Sequence, residues 1–372
     1  MPTRFEIFIA RRYLRAKRKE AVVSIVTAIS VLIITCPCAL GLAIPAVQTV
    51  VSGAMFRSGV LLNSGDAIER LAEVDRVVFD KTGTLTLPEL DITNAGDIPK
   101  DVFELAGRLA LASHHPVAAA VARASGAKAP LAGVEEIAGQ GVRGSVNGLE
   151  VRLGRPSFCG ADQIANEILR RDPEASVVAF RHDEARHVFA VRQRLRADAA
   201  GAIATLLKAG IEVEILSGDR EPAVRHAAGT LGIHEWRAGV TPAGKISRIE
   251  ELKRRGVKVL MVGDGMNDAP ALAAAHVSMS PVSATHLSQA TADLVFLGDR
   301  LAPVVTAIGF SRKALRLMRQ NLWLAVGYNL LAVPLAIAGL ATPLVAAAAM
   351  SGSSLLVILN ALRAHRGTRE FC

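Results

Sequence analysis

The sequence predicts an α/β domain built on a parallel sheet, a second, α+β domain inserted into it, and several α-helical transmembrane segments. Short apolar strands rich in β-branched residues support the parallel sheet, because the strands at 77–79, 213–216 and 259–262 each end in an acidic or hydroxyl-containing loop. A segment of different character, 91–194, separates the first of these strands from the other two. Two long stretches of the chain carry no charged residue. These features together indicate a membrane protein with a sizeable region outside the bilayer.

The uncharged stretches are long enough to cross a membrane. The first, 21–56, predicts one long transmembrane helix. The second, 320–362, is too long for one span and is interrupted at Gly339 and Thr342-Pro343, so it predicts a hairpin of two helices. Basic residues flank the hairpin on both sides, and the positive-inside rule places both of its ends in the cytosol. We therefore expect three spans, with the region between the first span and the hairpin lying in the cytosol.

Composition agrees with contact between the protein and a lipid bilayer. Hydrophobic residues make up 51% of the chain, the mean hydropathy is +0.34, and aromatic residues account for only 4%. The net charge of +9 comes partly from basic residues beside the spans, including those of a basic cytosolic tail at 363–372. Because these basic residues are not interleaved with aromatic ones, we expect no nucleic-acid partner.

Three loops follow the predicted parallel strands and carry the candidate chemistry. In an open α/β sheet the ligand binds beyond the carboxyl ends of the strands, so the loops should converge. A single Asp at a strand end is more often a turn or cap residue, but matched loops favour phosphoryl transfer through an aspartyl phosphate. That reaction requires positive charge, which Mg²⁺ shared by Asp80 and Asp264 and the side chain of Lys245 could supply. The loops are Asp80-Lys81-Thr82-Gly83-Thr84, Ser217-Gly218-Asp219 and Gly263-Asp264-Gly265-Met266-Asn267-Asp268.

These loops, together with Thr241-Pro242 and the following Lys245, resemble the phosphorylation domain of P-type ATPases, which are members of the haloacid-dehalogenase fold class. The resemblance implies a haloacid-dehalogenase-like phosphorylation domain at 57–90 and 195–311, an inserted nucleotide-binding domain at 91–194, and ATP as substrate. It implies Mg²⁺ bound by Asp80, Thr82 and Asp264. It also implies catalytic roles for Asp80, Lys81, Thr82, Ser217, Gly218, Asp219, Lys245, Asn267 and Asp268.

Two short motifs in the insertion resemble nucleotide-binding signatures of the same family. Ser113-His114-His115-Pro116 resembles the adenine-contacting motif, which assigns His115 and Pro116 to ATP. Gly139-Gln140-Gly141 resembles the glycine pair, in which the absence of side chains lets the backbone approach the nucleotide. Alone, the first motif is more often a helix start and the second a turn, but their position in the insertion favours binding. Ala110 stands where copper pumps commonly have a glutamate, and Ser217 where the family has threonine, so we expect altered nucleotide affinity with the same binding mode.

Two of the four cysteines lie within the first predicted span, on either side of a proline. On a regular helix Cys36 and Cys38 would point to opposite sides, but Pro37 breaks the local hydrogen bonding and lets both sulfurs line one path. With Cys159 in the insertion and Cys372 at the end of the chain, no disulfide framework is expected. Thiolates select soft ions such as Cu(I) or, with other ligands, Zn²⁺.

The run Cys36-Pro37-Cys38 resembles the metal-selecting membrane helix of the heavy-metal branch of P-type ATPases. Polar residues of the hairpin resemble the copper-selective signatures of that branch and favour Cu(I) as the transported ion. Taken singly, Met350 is as well explained as core filler, and the neighbouring serines as helix-packing residues. The implied Cu(I) ligands are Cys36, Cys38, Tyr328, Asn329, Met350 and Ser354.

Runs at 63–70 and 153–159 resemble the FixI/CcoI-like copper ATPases that are associated with cbb-type oxidase assembly. This resemblance implies export of Cu(I) from the cytosol across a bacterial inner membrane. It also implies a copper chaperone and cbb-type oxidase assembly factors as partners.

The resemblance covers about 31–367. The basic leader 1–20 instead resembles the start of a lipoprotein-releasing permease subunit, or a generic amphipathic membrane-surface leader. The sequence contains no Thr-Gly-Glu, the motif of the family's actuator domain, which another chain could supply. We therefore expect a chain that forms a phosphoenzyme yet does not sustain transport alone.

Two other classes of protein remain open from the sequence. A haloacid-dehalogenase-type phosphohydrolase would share Asp80 and Asp264 but usually carries an Asp two residues after the nucleophile. Here that position is Thr82, which cannot activate water as a carboxylate does. The second alternative is a nonenzymatic membrane remnant or assembly subunit.

Overall fold

The computed structural model describes residues 23, 25–36, 38–173, 175–264, 268–284 and 286–365. The predicted leader, most of the basic tail and the candidate residue Asn267 lie outside the described residues. The described residues divide into two compact units. One comprises the chain up to Glu73 together with the part from Thr306 onward, and the other comprises Val74–Val305.

Helices and strands are numbered here in chain order. Helical residues 25–34 precede α1. The helices are α1 (Cys38–Leu42), α2 (Pro45–Arg57), α3 (Ala67–Ala72), α4 (Lys100–Ala110), α5 (Pro116–Ser125), α6 (Pro156–Cys159), α7 (Asp162–Arg171), α8 (Ala199–Lys208), α9 (Glu221–Leu231), α10 (Pro242–Arg254), α11 (Ala269–Ala274), α12 (His286–Thr291), α13 (Ala302–Ile337) and α14 (Pro343–Leu362). The strands are β1 (Val60–Leu62), β2 (Arg76–Phe79), β3 (Thr86–Ile92), β4 (Glu135–Ile137), β5 (Gly141–Val146), β6 (Leu149–Gly154), β7 (Ser176–His182), β8 (Ala185–Leu195), β9 (Glu212–Leu216), β10 (Glu235–Arg237), β11 (Val259–Val262), β12 (Val277–Pro281) and β13 (Leu294–Phe296).

Six strands of the Val74–Val305 unit form a parallel sheet in the order β13-β12-β11-β2-β9-β10. Every residue of β2 and of β11 is buried, as expected for central strands covered on both faces. Phe79 pairs with Val262 on one side and with Ile215 on the other. Because these three residues are aligned across the sheet, the loops that follow β2, β9 and β11 begin at one edge. The sheet agrees with the predicted α/β class.

A second, antiparallel sheet is inserted after β2, with the strand order β3-β8-β7-β6-β5-β4. Its buried face packs against α4 and α5 around an apolar core that includes Leu109, Val121, Phe180 and Phe189. The rings of Phe103 and Phe189 lie 5.2 Å apart between centroids. The sheet starts at Thr86, before the predicted boundary between 90 and 91, because β3 runs directly out of the loop that carries Asp80.

Among the described residues, three helical stretches are long and apolar enough to cross a membrane: Ile25–Arg57, Ala302–Ile337 and Pro343–His365. This number agrees with the three predicted spans. The hairpin is interrupted where the sequence predicts it, since Gly339 has φ +72° and the Thr342 side chain caps α14. However, α13 already begins at Ala302, upstream of the predicted start at 320, and its residues 302–305 belong to the Val74–Val305 unit. Residues 57–73, predicted to belong to the phosphorylation domain, group instead with these helices.

Candidate active site

The loops after β2 and β11 bring three carboxylates and one lysine together. Ligand oxygens of Asp80, Asp264 and Asp268 all lie within 4.8 Å of one another. The Lys245 Nζ donates to one oxygen of Asp80 and to one of Asp268, each at 2.6 Å. Asp80, Lys245 and Asp268 are at most 5% exposed. The structure therefore assembles a buried, net negative cluster from residues that are far apart in the sequence.

Lys245 is held in place by the helix that carries it. Thr241 caps α10, and its side-chain oxygen accepts a backbone hydrogen bond from the first turn. One turn beyond Lys245, Arg248 donates to both oxygens of Glu214 on β9, at 2.9 and 3.0 Å. Glu214 is 1% exposed and also accepts from Arg76 on β2 at 2.9 Å. This buried ion network fixes α10 against the two strands whose loops form the site.

Burial, and next the repulsion between carboxylates, governs the protonation of the cluster. Burial, and next the Asp268 carboxylate, raise the pKa of Asp80 to about 7 despite the opposing Lys245. Burial and Asp268 likewise raise the pKa of Asp264 to about 6. Burial alone would lower the pKa of Lys245, but Asp80 and Asp268 outweigh that effect and raise it. A divalent cation would relieve this imbalance, and carboxylate oxygens are the ligands that Mg²⁺ prefers.

Asp80 and Asp264 therefore fit a Mg²⁺ site, as predicted. The third predicted ligand, Thr82, has its hydroxyl engaged, because Oγ1 donates to Asp219 Oδ2 at 2.9 Å. This favours its carbonyl oxygen over its hydroxyl as a ligand. Gly83 makes the approach of Asp264 possible: it has φ +69°, and a Cβ built there would lie 1.6 Å from Asp264 Oδ2.

The loop after β9 contacts the loop after β2 through Asp219. The Lys81 Nζ lies 2.7 Å from Asp219 Oδ2, the same oxygen that accepts from Thr82. Ser217 is 1% exposed, and its Oγ accepts a hydrogen bond from the backbone N–H of Asp219 at 3.2 Å. The structure thus brings together the predicted residues of all three loops that it describes.

Two residues near the end of β8 also hold the phosphorylation loop, and sequence analysis missed both. The Gln193 side-chain oxygen accepts from Lys81 Nζ and Thr86 Oγ1 at 3.3 Å each, and it lies 3.5 Å from Thr82 Oγ1. Arg196 is 2% exposed and donates to the carbonyls of Thr84 and Gly83 at 2.7 and 3.0 Å. Neither residue stands in a recognisable pattern, because the contacts arise from the return of β8 to the loop.

The predicted nucleotide motifs meet around a cavity of about 200 Å³ in the inserted domain, and Pro116 opens α5 beside it. His115 lines this cavity and also caps α5, because its Nδ1 accepts from the Val117 N–H at 3.3 Å. The helix-start and the binding interpretations of the motif are therefore compatible. Glu136, which sequence analysis missed, also lines the cavity and accepts a hydrogen bond from Ser113 Oγ at 3.0 Å.

The two glycines of the predicted pair are required for different reasons. Gly139 has φ +72°, and a Cβ built there would meet open space. Gly141 faces the neighbouring strand, where a Cβ would lie 2.2 Å from the Leu153 carbonyl oxygen. Gly154, its partner on β6, is similarly blocked by the Gln140 carbonyl oxygen at 2.2 Å. Gly141 therefore permits close strand packing, and because it also lines the cavity, its role in nucleotide approach stays a prediction.

A second cavity, of about 550 Å³, lies beside the phosphorylation loop. Its lining is rich in charged and polar side chains. These side chains include Lys81, Thr82, Asp219 and Arg220.

In the membrane-helix unit, the sulfur atoms of Cys36 and Cys38 lie in disulfide contact, with Cα atoms 5.5 Å apart. The pair is a local contact between residues two apart at a break in the helix, and it is not the disulfide framework that the sequence analysis excluded. Once reduced, both sulfurs could bind one soft cation. Cys159, by contrast, is buried and unpaired within the described part of the chain.

The hairpin residues fall into two groups. Tyr328 packs in a buried cluster with Ile34, which lies two residues before Cys36. Within the described residues, the Tyr328 hydroxyl and the Asn329 Oδ1 are buried atoms without a hydrogen-bond partner. Met350 and Ser354 are half-buried on α14 and lie outside this cluster.

Comparisons with known proteins agree with this architecture. The family model for haloacid dehalogenase-like hydrolases matches residues 74–276, more than half of the chain. The nitrogen fixation protein FixI of Bradyrhizobium diazoefficiens is 72% identical over 93% of this chain and 48% of its own length. A copper-exporting P-type ATPase of Mycobacterium tuberculosis is 38% identical over 90% of this chain and 46% of its own length.

Among solved structures, a zinc-transporting PIB-type ATPase in an E2·Pi state superposes with a TM-score of 0.76 at 33% identity, covering 90% of this chain and 57% of that one. The chain spans about half the length of the curated relatives that it matches. The predicted fold class and the predicted resemblance are confirmed. The chain belongs to the haloacid dehalogenase-like hydrolase family, in which it is a relative of the heavy-metal P-type ATPases.

Proposed function

We propose that this chain carries the phosphorylation and ion-binding chemistry of an ATP-driven exporter of a soft metal cation, Cu(I), that works through an aspartyl phosphate on Asp80. The observation that supports this most directly is the buried cluster of Asp80, Asp264, Asp268 and Lys245. A carboxylate nucleophile beside a fixed ammonium group and a pair of divalent-cation ligands is what transfer of a phosphoryl group to an aspartate requires.

In the proposed reaction an Asp80 carboxylate oxygen attacks the γ-phosphorus of ATP. A bond forms between that oxygen and phosphorus, and the bond from phosphorus to the β,γ-bridging oxygen breaks, so that ADP leaves. Lys245 orients Asp80 and offsets the charge of the entering phosphoryl group. Bound Mg²⁺ would supply further positive charge between the phosphate and the carboxylates of Asp80 and Asp264.

The two cavities are the proposed binding places for ATP. The smaller cavity suits the flat adenine base, because His115 and Gly139 line it and its walls include the apolar Val117 and Val142. The larger cavity beside the phosphorylation loop offers Lys81 and Arg220 to the phosphates.

The proposed ion site is built on the sulfur pair. Two thiolates are soft ligands, and Tyr328 and Asn329 offer buried oxygen atoms that lack hydrogen-bond partners within the described residues. The relatives' names point both to copper and to zinc. We favour Cu(I), because the uncharged stretches 21–56 and 320–362 contain no carboxylate that would suit a harder ion.

We also propose the setting of this chemistry. The basic residues that flank α13 and α14 favour a cytosolic location for the Val74–Val305 unit. The apolar helices would lie in a bacterial inner membrane. A copper chaperone, cbb-type oxidase assembly factors and a chain that carries the actuator domain are the proposed partners.

The proposal is tested by labelling membranes that contain the chain with ATP carrying a radioactive γ-phosphate, with and without Cu(I). We expect an acid-stable, hydroxylamine-sensitive label that rises with Cu(I) and is lost in Asp80→Asn. Asp75→Asn is the matched control, since Asp75 lies at the opposite end of β2 and should leave the label intact. Cys36→Ala should remove only the response to Cu(I).

An unlabelled wild-type chain would refute the aspartyl phosphate. A label that depends on Asp80 but responds to Zn²⁺ and not to Cu(I) would refute the proposed ion and leave the phosphoryl transfer standing.

A further inference from the structure

Asn321 is a fully buried amide in the bundle of apolar helices. It lies on α13 and is 0% exposed. Its Nδ2 donates to the carbonyl oxygen of Ala43 at 3.1 Å. An amide is costly to bury among apolar helices unless it is paired, so this contact calls for an explanation beyond packing.

Ala43 lies at the break between α1 and α2. The first helix ends at Leu42 and the second begins at Pro45, so the Ala43 carbonyl lies in the turn between them. Ala43 is itself 0% exposed. A buried carbonyl at a helix break needs a donor, and Asn321 supplies one from a different helix.

The Asn321 amide is itself oriented by hydrogen bonds from the C-terminal end of α14. Asn360 Nδ2 donates to Asn321 Oδ1 at 2.8 Å, and Arg363 donates to Asn360 Oδ1 at 2.9 Å. Each amide thus accepts at its oxygen and donates from its nitrogen, in one direction from the Arg363 cation to the Ala43 carbonyl. Hydrogen bonds in such a series polarise and strengthen one another.

A layer of small aliphatic side chains lies next to this hydrogen-bond relay, which consists of Arg363, Asn360, Asn321 and the Ala43 carbonyl. Ala39, Ala325 and Val357 form a buried cluster. Each lies about one helical turn from its counterpart in the relay: Ala39 from Ala43, Ala325 from Asn321, and Val357 from Asn360. Ala39 is the residue after Cys38. A buried layer that includes the chain neighbour of Cys38 therefore adjoins the relay.

We propose that Asn321 is a positioning residue for the metal site at Cys36 and Cys38. Its hydrogen bond to Ala43 sets the bend between α1 and α2, and the Asn360–Arg363 arm fixes the orientation of the amide that makes it. This inference rests on the proposed function, since it concerns metal binding by the sulfur pair.

The test uses the full, reduced chain in detergent, with Cu(I) as the probe and a chromophoric Cu(I) chelator as competitor. Asn321→Leu keeps the number and branching of the side-chain heavy atoms and removes both polar ends. We expect Cu(I) affinity to fall about 10-fold or more, the range found when groups that orient metal ligands are removed. Gln320→Leu is the matched control, because Gln320 is the neighbouring, exposed amide on the same helix and accepts only a longer hydrogen bond, of 3.4 Å, from Asn360. The Cu(I) affinity of this variant should stay within about twofold of wild type.

A second variant covers the case in which Asn321→Leu does not fold. Asn360→Leu leaves the Asn321 donor in place but frees its orientation, so a smaller loss in the same direction is expected. X-ray absorption at the copper edge separates positioning from general stability, because a displaced sulfur pair changes the number of sulfurs bound to copper in folded protein.

Wild-type affinity and unchanged sulfur coordination in either folded variant would overturn the inference. Failure of the proposed function itself looks different: Cu(I) would then bind wild type and the Cys36→Ala/Cys38→Ala double variant equally, or would bind neither.

Discussion

Replacing Gly83 by alanine tests the geometry of the phosphorylation loop most directly. The new Cβ would lie 1.6 Å from Asp264 Oδ2 and 2.4 Å from its carboxyl carbon. The carboxylate must therefore move by more than ~1 Å to reach an ordinary contact distance. The backbone adds a second cost, because an alanine held at the φ of +69° found here is strained by about 1–2 kcal/mol.

A matched glycine separates the two effects. Gly232 has φ +70°, and a Cβ built there meets nothing within 4 Å. Gly232→Ala should therefore show the backbone strain alone, as a fall in melting temperature of roughly 2–8 °C in a unit of this size. Gly83→Ala should fall further and should also lose about 100-fold in the rate of phosphoenzyme formation, as expected for a misplacement of about 1 Å.

The assays are thermal unfolding of the full chain in detergent, followed by circular dichroism, and the initial rate of labelling by ATP. Equal phosphorylation rates in Gly83→Ala and Gly232→Ala would refute the claim that Gly83 is there to admit Asp264. The double variant Gly83→Ala/Asp264→Ala should regain part of the lost stability without regaining activity, because the collision is removed together with the ligand.

Three further predictions concern groups described above. Gly141→Ala should destabilise the inserted sheet, because the new Cβ collides with the β6 backbone. Gly139→Ala should weaken nucleotide binding more than it lowers the melting temperature, because its Cβ meets open space. Equal losses of stability in the two variants would argue against this difference between the glycines. Burial raises the pKa of Cys159 to about 12, so peptide mapping after iodoacetamide treatment at pH 8 should find this thiol unmodified in folded chain and alkylated after denaturation. Because the pKa of Asp80 is raised from 3.8 to about 7 in the folded chain, the unfolded state ionises first, and Mg²⁺-free protein should lose stability as the pH rises across that window. Asp80→Asn should flatten this part of the pH profile of chemical denaturation, and a profile identical to wild type would count against the raised pKa.

The sequence predicted the sheet and its three loops because both depend on short-range patterns. Short runs of apolar, β-branched residues predict the strands. Because the carboxyl ends of parallel strands meet at one edge of the sheet, the sequence alone placed Asp80 and Asp264 close together. Lys245 followed from the resemblance, in which a lysine comes shortly after Thr241-Pro242.

What could not be predicted depends on contacts between distant segments. Gln193 reaches Lys81 only because β8 returns alongside β3, and nothing in its local sequence distinguishes it from other polar strand residues. The hydrogen bond between Asn321 and Ala43 likewise requires knowledge of how three helices pack. The sequence singled out Gly141 but did not show that this residue also faces the backbone of β6, because that contact joins two strands.

The inserted sheet joins the phosphorylation loop at a single place. Thr86, which opens β3, pairs with Leu195, which closes β8, so the chain leaves and returns at adjacent points. Gln193 and Arg196 anchor the returning strand to the same loop that the departing strand leaves. The inserted domain is thus connected to the parallel-sheet domain by two adjacent strands, β3 and β8, and both connections contact the loop that carries Asp80. A movement of that domain on binding nucleotide would therefore act on the loop that carries Asp80.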